Sequence, residues 1–257
     1  MLNMRSASLL TLGVLLSGGQ AAPAAPALAS RDLPAGSIIY HCTVPGTVAL
    51  TFDDGPYAYT THLLDLLDAA GAKATFFVNG DNWSHEIDNP TTAWPAILKR
   101  IDRTGHQIAS HTWSHLDLTY LPQDQRTFQM QQLETALNNV LGKVPTYMRP
   151  PYASCDNDCV PTIEGLGYHV INFDVDTKDY EYKESPEAMQ TAIDNFNSAV
   201  ANGARDSSFL VLSHDVHEMT VEVLVPAMLE TIREQGYKAV TVGECLGDSP
   251  SNWYRTI

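Results

Sequence analysis

Short apolar runs alternate with longer amphipathic ones along most of this chain. The runs at 48–52, 74–78, 107–110, 146–149, 169–173, 209–213 and 239–242 are continuous enough to predict buried strands. Between them, segments 61–70, 94–102, 125–141, 186–200 and 222–234 carry apolar side chains at helical spacing, such as Leu63, Leu64, Leu66 and Leu67 in the first. Gly71, Gly105, Gly142 and Gly236 follow four of these segments, where a helix C-terminus favours glycine. Strand and helix in alternation predict a parallel sheet with crossover helices. The expected class is α/β: a single-domain, distorted (β/α) barrel of about seven parallel strands, short of the regular eightfold one.

Composition sets the compartment. Residues 1–21 read as a secretory signal, with Arg5 ahead of an apolar core from Leu9 to Leu16 that is too short to span a membrane. Residues 22–38 are Ala/Pro-rich and read as a linker or propeptide, 39–248 as the catalytic domain, and 249–257 as a C-terminal tail. No apolar C-terminal run suggests a lipid anchor, so a free, secreted, extracellular monomer is expected. A formal charge of −15 argues against nucleic acid or an anionic membrane as partner. Four cysteines form an even set with no CxxC pair, so disulfides are expected rather than a metal cluster. Cys155 and Cys159 are close enough for a local loop, and Cys42 and Cys245 then tie the ends of the domain.

The chemistry collects where the predicted strands end. Asp53 and Asp54 follow the apolar run Val48-Ala49-Leu50 and precede Gly55-Pro56, at the C-terminal edge where α/β folds gather ligands. His111 and His115 follow another apolar run, four residues apart, without the Glu of a zincin helix. Two His and one Asp suffice for a catalytic divalent metal with an open position, leaving the second aspartate as a base. Arg149-Pro150-Pro151-Tyr152 stands at another strand end. Asp174, Asp176 and Asp179 crowd a fourth, and His214 closes a fifth. Metal-assisted hydrolysis is the reading.

The stretches TFDDGP, HTWSH, RPPY, DxxDY and LSH, in this order, resemble the five motifs of the polysaccharide deacetylase superfamily, carbohydrate esterase family four. The resemblance covers about residues 40–247, and the cysteines with Phe76–Gly80 and Trp83 are most like its fungal chitin deacetylases. It implies that Asp54, His111 and His115 hold a divalent metal, most often Zn2+, with Co2+ as substitute. Asp53 becomes the general base, fixed by Arg149, and the Tyr152 backbone N–H stabilises the oxyanion. His214 becomes the general acid, held charged by Asp176. Trp83, Tyr180 and Leu212 line the sugar and acetyl group, with Tyr180 standing where many relatives carry Trp. The sequon Asn82-Trp83-Ser84 overlaps that wall and reads as unmodified. The implied activity is removal of N-acetyl groups from chitin or chitooligosaccharides. An acetyl-xylan esterase, a peptidoglycan deacetylase and a non-catalytic carbohydrate-binding protein are the alternatives. The last is disfavoured because every implied catalytic residue is present.

Overall fold

The computed structural model describes Leu33, residues 37–201, 203–204 and 206–257. The segment read as a signal, and most of that read as a linker, lie outside the described residues. The elements are β1 (Thr47–Asp53), α1 (Thr60–Ala70), β2 (Thr75–Val78), α2 (Trp94–Arg103), β3 (Gln107–Ser110) and α3 (Gln123–Leu141). Then come β4 (Val144–Pro145), β5 (Tyr147–Met148), α4 (Cys159–Gly165), β6 (His169–Val170), β7 (Val175–Asp176) and α5 (Pro186–Val200). The chain ends with β8 (Phe209–His214), α6 (Val225–Glu234), β9 (Lys238–Val240), α7 (Val242–Cys245) and β10 (Tyr254–Arg255).

The strands pair in parallel in the order β6-β5-β3-β2-β1-β8-β7, and β9 adds to the first half of β1. The path curls with helices outside it and leaves β6 and β7 at its two ends, an incomplete barrel of the kind expected. Period-two alternation sorts the strand residues. Val48, Leu50 and Phe52 face outward and pack with Leu63, Leu64 and Leu67 of α1 and Leu98 and Ile101 of α2 in the main core. Ala49, Phe77, Ala109, Tyr147 and Leu210 point the other way and fill the barrel interior. Gly71 and Gly142 end α1 and α3 in the left-handed region, at φ 63° and 70°, as their positions predicted.

Several boundaries differ from the sequence reading. The run 146–149 divides because Val144–Pro145 pairs antiparallel with β10 while Tyr147–Met148 joins the main sheet. The strand at 169–173 shortens to β6. The run 239–242 stops at Val240 because Thr241 caps α7 through a capping box with Glu244. Segment 222–234 begins with a π-helical turn, Thr220–Leu224, ahead of α6. Neither α4 nor β7 was legible as an element. Residues 249–257 are no loose tail: Trp253 is buried and Tyr254–Arg255 forms β10. Both expected disulfides are present, Cys42–Cys245 and Cys155–Cys159. The first closes a span of 203 residues, a constraint on the unfolded chain of about 5 kcal/mol in the loop-entropy account. No helix among the described residues is long and apolar enough to cross a membrane.

Candidate active site

The alternation that fills the barrel also builds the site. Along β1, Ala49, Thr51 and Asp53 face inward; along β8, Leu210, Leu212 and His214 do the same, and the two strands pair Ala49 with Leu210, Thr51 with Leu212 and Asp53 with His214. His111 comes two residues after Ala109, and Arg149 two after Tyr147, so each crowns an interior column. The inward side chain one step beyond the apolar plug is therefore polar in column after column. They line a cleft of about 390 Å³ together with Asp54, His115, Tyr152, Phe173 and Tyr180.

Asp54 breaks the alternation. A regular strand would send it outward, but its backbone takes φ 77°, the left-handed region. For a residue with a side chain that region is disfavoured, although Asp tolerates it better than most. Such strain costs about 1–3 kcal/mol where it occurs at functional sites. The turn brings Asp54 Oδ1 to 3.6 Å from His111 Nε2 and 3.2 Å from His115 Nε2. His115 is itself left-handed, at φ 54°. The ligand atoms of these three lie within 4.8 Å of one another. Asp54 Oδ1 is buried and has no hydrogen-bond partner, as an acceptor reserved for a cation would be. His111 Nδ1 is engaged by the Arg149 carbonyl at 2.7 Å, which presents the lone pair of Nε2 to the cleft. Burial pushes the His111 imidazole down to about 3, so it stays neutral as a ligand must. The residues present fit a divalent metal.

Asp53 lies beside them, buried, and accepts a hydrogen bond from Arg149 Nη1 at 2.8 Å. Burial raises its pKa, and the charges of Arg149, His214 and His115 only partly offset that. Arg149 is itself buried and divides its donors: Nη1 also reaches Thr51 Oγ1 and Nη2 reaches the Asn172 carbonyl at 2.9 Å. Its guanidinium lies 4.2 Å over the Phe77 ring.

The structure corrects one assignment. The carboxylate that holds His214 is Asp179, not Asp176. Asp179 Oδ1 meets His214 Nδ1 at 2.8 Å, while Oδ2 accepts from the His214 backbone N–H and from Thr220 Oγ1, both at 2.7 Å. Asp176 ends β7 opposite Leu212 and instead accepts from Tyr180 Oη at 3.0 Å and the Lys178 N–H at 2.9 Å. Lys178, at φ 58°, reverses the chain between them and delivers Asp179 against β8. Burial presses the His214 imidazole toward neutrality, but the Asp179 carboxylate overrides it and lifts the pKa to about 9, helped by Asp54 and Asp53.

The remaining expected residues divide. Tyr152 adopts φ 59°, ψ 17°, is 68% exposed, and packs its ring edge-on to His115 at 4.7 Å. Tyr180 packs edge-on against His214 at 5.4 Å, and Leu212 lines the cleft floor. Trp83 stands exposed beside the cleft. Its loop carries it against Tyr57 and His217, with ring centroids at 5.2 and 6.1 Å, one residue removed from His214. In the sequon, Asn82 Nδ2 is engaged by Asn79 Oδ1 at 3.1 Å and Ser84 is buried. Thr51 was missed by the sequence reading. Its signal was available, since strand alternation places it below Asp53. Asp179 was visible as one of three nearby carboxylates, with nothing local to single it out.

Three residues that fit a cation, a buried carboxylate beside them and an imidazole held by Asp179 have the parts for metal-assisted hydrolysis, and their placement on strand ends of an incomplete (β/α) barrel narrows the class further. The chain belongs to the polysaccharide deacetylase family, whose pattern matches residues 41–171. It is 51% identical to a chitin deacetylase of Pestalotiopsis sp over 94% of this chain and 77% of that protein. It is 46% identical to the chitin deacetylase of the fungal pathogen Colletotrichum lindemuthianum, whose solved structure superposes with a TM-score of 0.83 over 87% of this chain and 97% of that one. A probable peptidoglycan-N-acetylglucosamine deacetylase of Arthroderma benhamiae is 44% identical over 90% of this chain, which spans 51% of that relative.

Proposed function

We propose that this protein is a secreted, metal-dependent hydrolase that removes N-acetyl groups from N-acetylglucosamine units of chitin or chitooligosaccharides, releasing acetate. The observation that carries the reading is the pairing of Asp53 with His214 across adjacent strands, which sets a base and an acid beside the candidate metal ligands Asp54, His111 and His115. Asp54, His111 and His115 would hold the metal, Zn2+ by the chemistry of two imidazoles and a carboxylate. When bound, it supplies Lewis-acid polarisation of the acetyl carbonyl and a more acidic water.

The chain's own residues do the rest. Asp53 takes a proton from the attacking water, and burial makes its carboxylate a stronger base than an exposed one. Arg149 keeps Asp53 in place and the His111 ring oriented, through its guanidinium and its carbonyl respectively. The Tyr152 backbone N–H stabilises the oxyanion of the tetrahedral carbon. His214, charged through Asp179, gives its proton to the departing nitrogen, so that the amide and water become acetate and a free amine. Leu212 and Tyr180 form the apolar wall against the acetyl methyl and the sugar.

The test is acetate release from chitin oligomers, acetyl-xylan and peptidoglycan side by side. Chitin oligomers should be turned over fastest, and a clear preference for peptidoglycan would move the substrate to the bacterial wall polymer. Chelation should abolish release, with Zn2+ or Co2+ restoring it. Full activity in metal-free protein would sink the mechanism.

A further inference from the structure

Asp215 follows His214 at the end of β8, and none of the chemistry above uses it. It is fully buried. The Thr60 hydroxyl donates to Asp215 Oδ2, and Thr60 Oγ1 in turn accepts from the Tyr57 N–H at 2.8 Å. Its other oxygen, Oδ1, is buried with no hydrogen-bond partner. Gly55, the residue after Asp54, lies so close that a Cβ there would collide with both carboxylate oxygens. A buried carboxyl thus presses on the backbone leaving Asp54 and grips the start of α1 through Thr60.

Such a group is an expensive way to fill space. An isosteric apolar side chain would leave no orphaned oxygen behind. Asp54 gives it a purpose. Asp54 reaches the cleft only because its backbone is left-handed, and a disfavoured conformation persists only where its surroundings over-determine it. From one side the Asp54 N–H is tied to the Phe77 carbonyl at 3.1 Å. From the other, the next residue is wedged against Asp215. The geometry points to Asp215 as a positioning residue that locks the left-handed turn at Asp54 and so sets the cation site, a role that rests on the metal-site reading above. Because Asp215 is the residue directly after His214, where β8 ends, the same clamp couples the cation site to the acid.

Co2+ titration of the full-length, metal-free protein, followed by visible absorption, tests this without using turnover. Asp215→Ala should weaken Co2+ binding by about 10–100-fold, the usual scale for groups that orient a ligand, and alter the absorption spectrum. Asp215→Asn keeps an oxygen for Thr60 and the same volume, and should restore most of the affinity. Thr60→Val should show a smaller loss in the same direction. A cooperatively folded Asp215→Ala protein with wild-type Co2+ affinity and spectrum would overturn the inference, because a merely structural bolt would lower the melting temperature alone. If Asp215→Ala does not fold, unchanged Co2+ binding in Thr60→Val overturns it instead. Asp54→Ala separates the two readings. Wild-type protein that binds Co2+ no better than Asp54→Ala removes the metal site and the clamp together.

Discussion

Two ion pairs stand side by side where β1 and β8 end at the cleft, Asp53 with Arg149 and Asp179 with His214, and their protons are set in opposite ways. Burial opposes ionisation of both carboxylates. Asp53 receives one hydrogen bond from an arginine that also serves Thr51 and the Asn172 carbonyl, so burial prevails and its pKa rises. Asp179 gathers three donors, two from His214 and one from Thr220; these and the imidazolium charge outweigh burial, and its pKa falls. A carboxylate that shares its cation becomes a base, whereas one that concentrates donors on itself keeps a proton on its partner. Similar ingredients, partitioned differently, yield the two halves of an acid–base reaction.

The contrast can be broken from either side. Asp53→Asn removes the base and should lower turnover toward the top of the range of about 10²–10⁴-fold for such groups, on amide and ester substrates alike. Co2+ titration should show its cation site intact. Next in size, His214→Ala should cost about 10²–10³-fold on acetylated chitin oligomers and less on acetyl esters, since an alkoxide leaves more readily than an amide nitrogen. Equal losses on both would remove the case for His214 as the acid.

The pH profile sharpens the comparison further. His214 has a pKa raised from 6.5 to about 9, so its proton is bound more tightly in the folded protein. Its contribution to stability is complete below about pH 6.5 and is lost as pH rises through about 9; the rate on amides should fall over that same alkaline limb. Asp179→Asn removes the charge that raises the imidazole and should move the limb toward neutral pH, with a loss of about 10-fold or more at pH 8. The smallest effect is expected from Asp176→Asn, which should leave the limb in place. Kinetics across pH 6–10 check both, and a limb displaced by Asp176→Asn but not by Asp179→Asn would reverse the assignment.

Most of this site was legible because strand alternation is local. Once 48–52 and 209–213 are strands, the inward side of each is known, and with it the direction of Asp53 and His214. The choice between Asp176 and Asp179 was not legible. Both lie in Asp174–Tyr180, and which one reaches His214 depends on β7 stopping at Asp176 and on Lys178 reversing the chain. The place of Trp83 was not legible either, since it depends on how a loop packs on Tyr57 and His217 rather than on any period.

The sequence by itself determined the alternation of elements, the polar residues that end the strands and the local Cys155–Cys159 loop, because periodicity and residue chemistry act over a few neighbouring positions. Only the tertiary structure decided the order in which strands stand side by side, the carboxylate that holds His214, and the backbone reversal that turns Asp54 back beside Asp53. Those depend on contacts between residues distant in the chain, such as Asp53 with Arg149, His214 with Asp179 and Gly55 with Asp215. Burial then gives each contact its energy, since a charge or an orphaned oxygen matters far more where water cannot reach it.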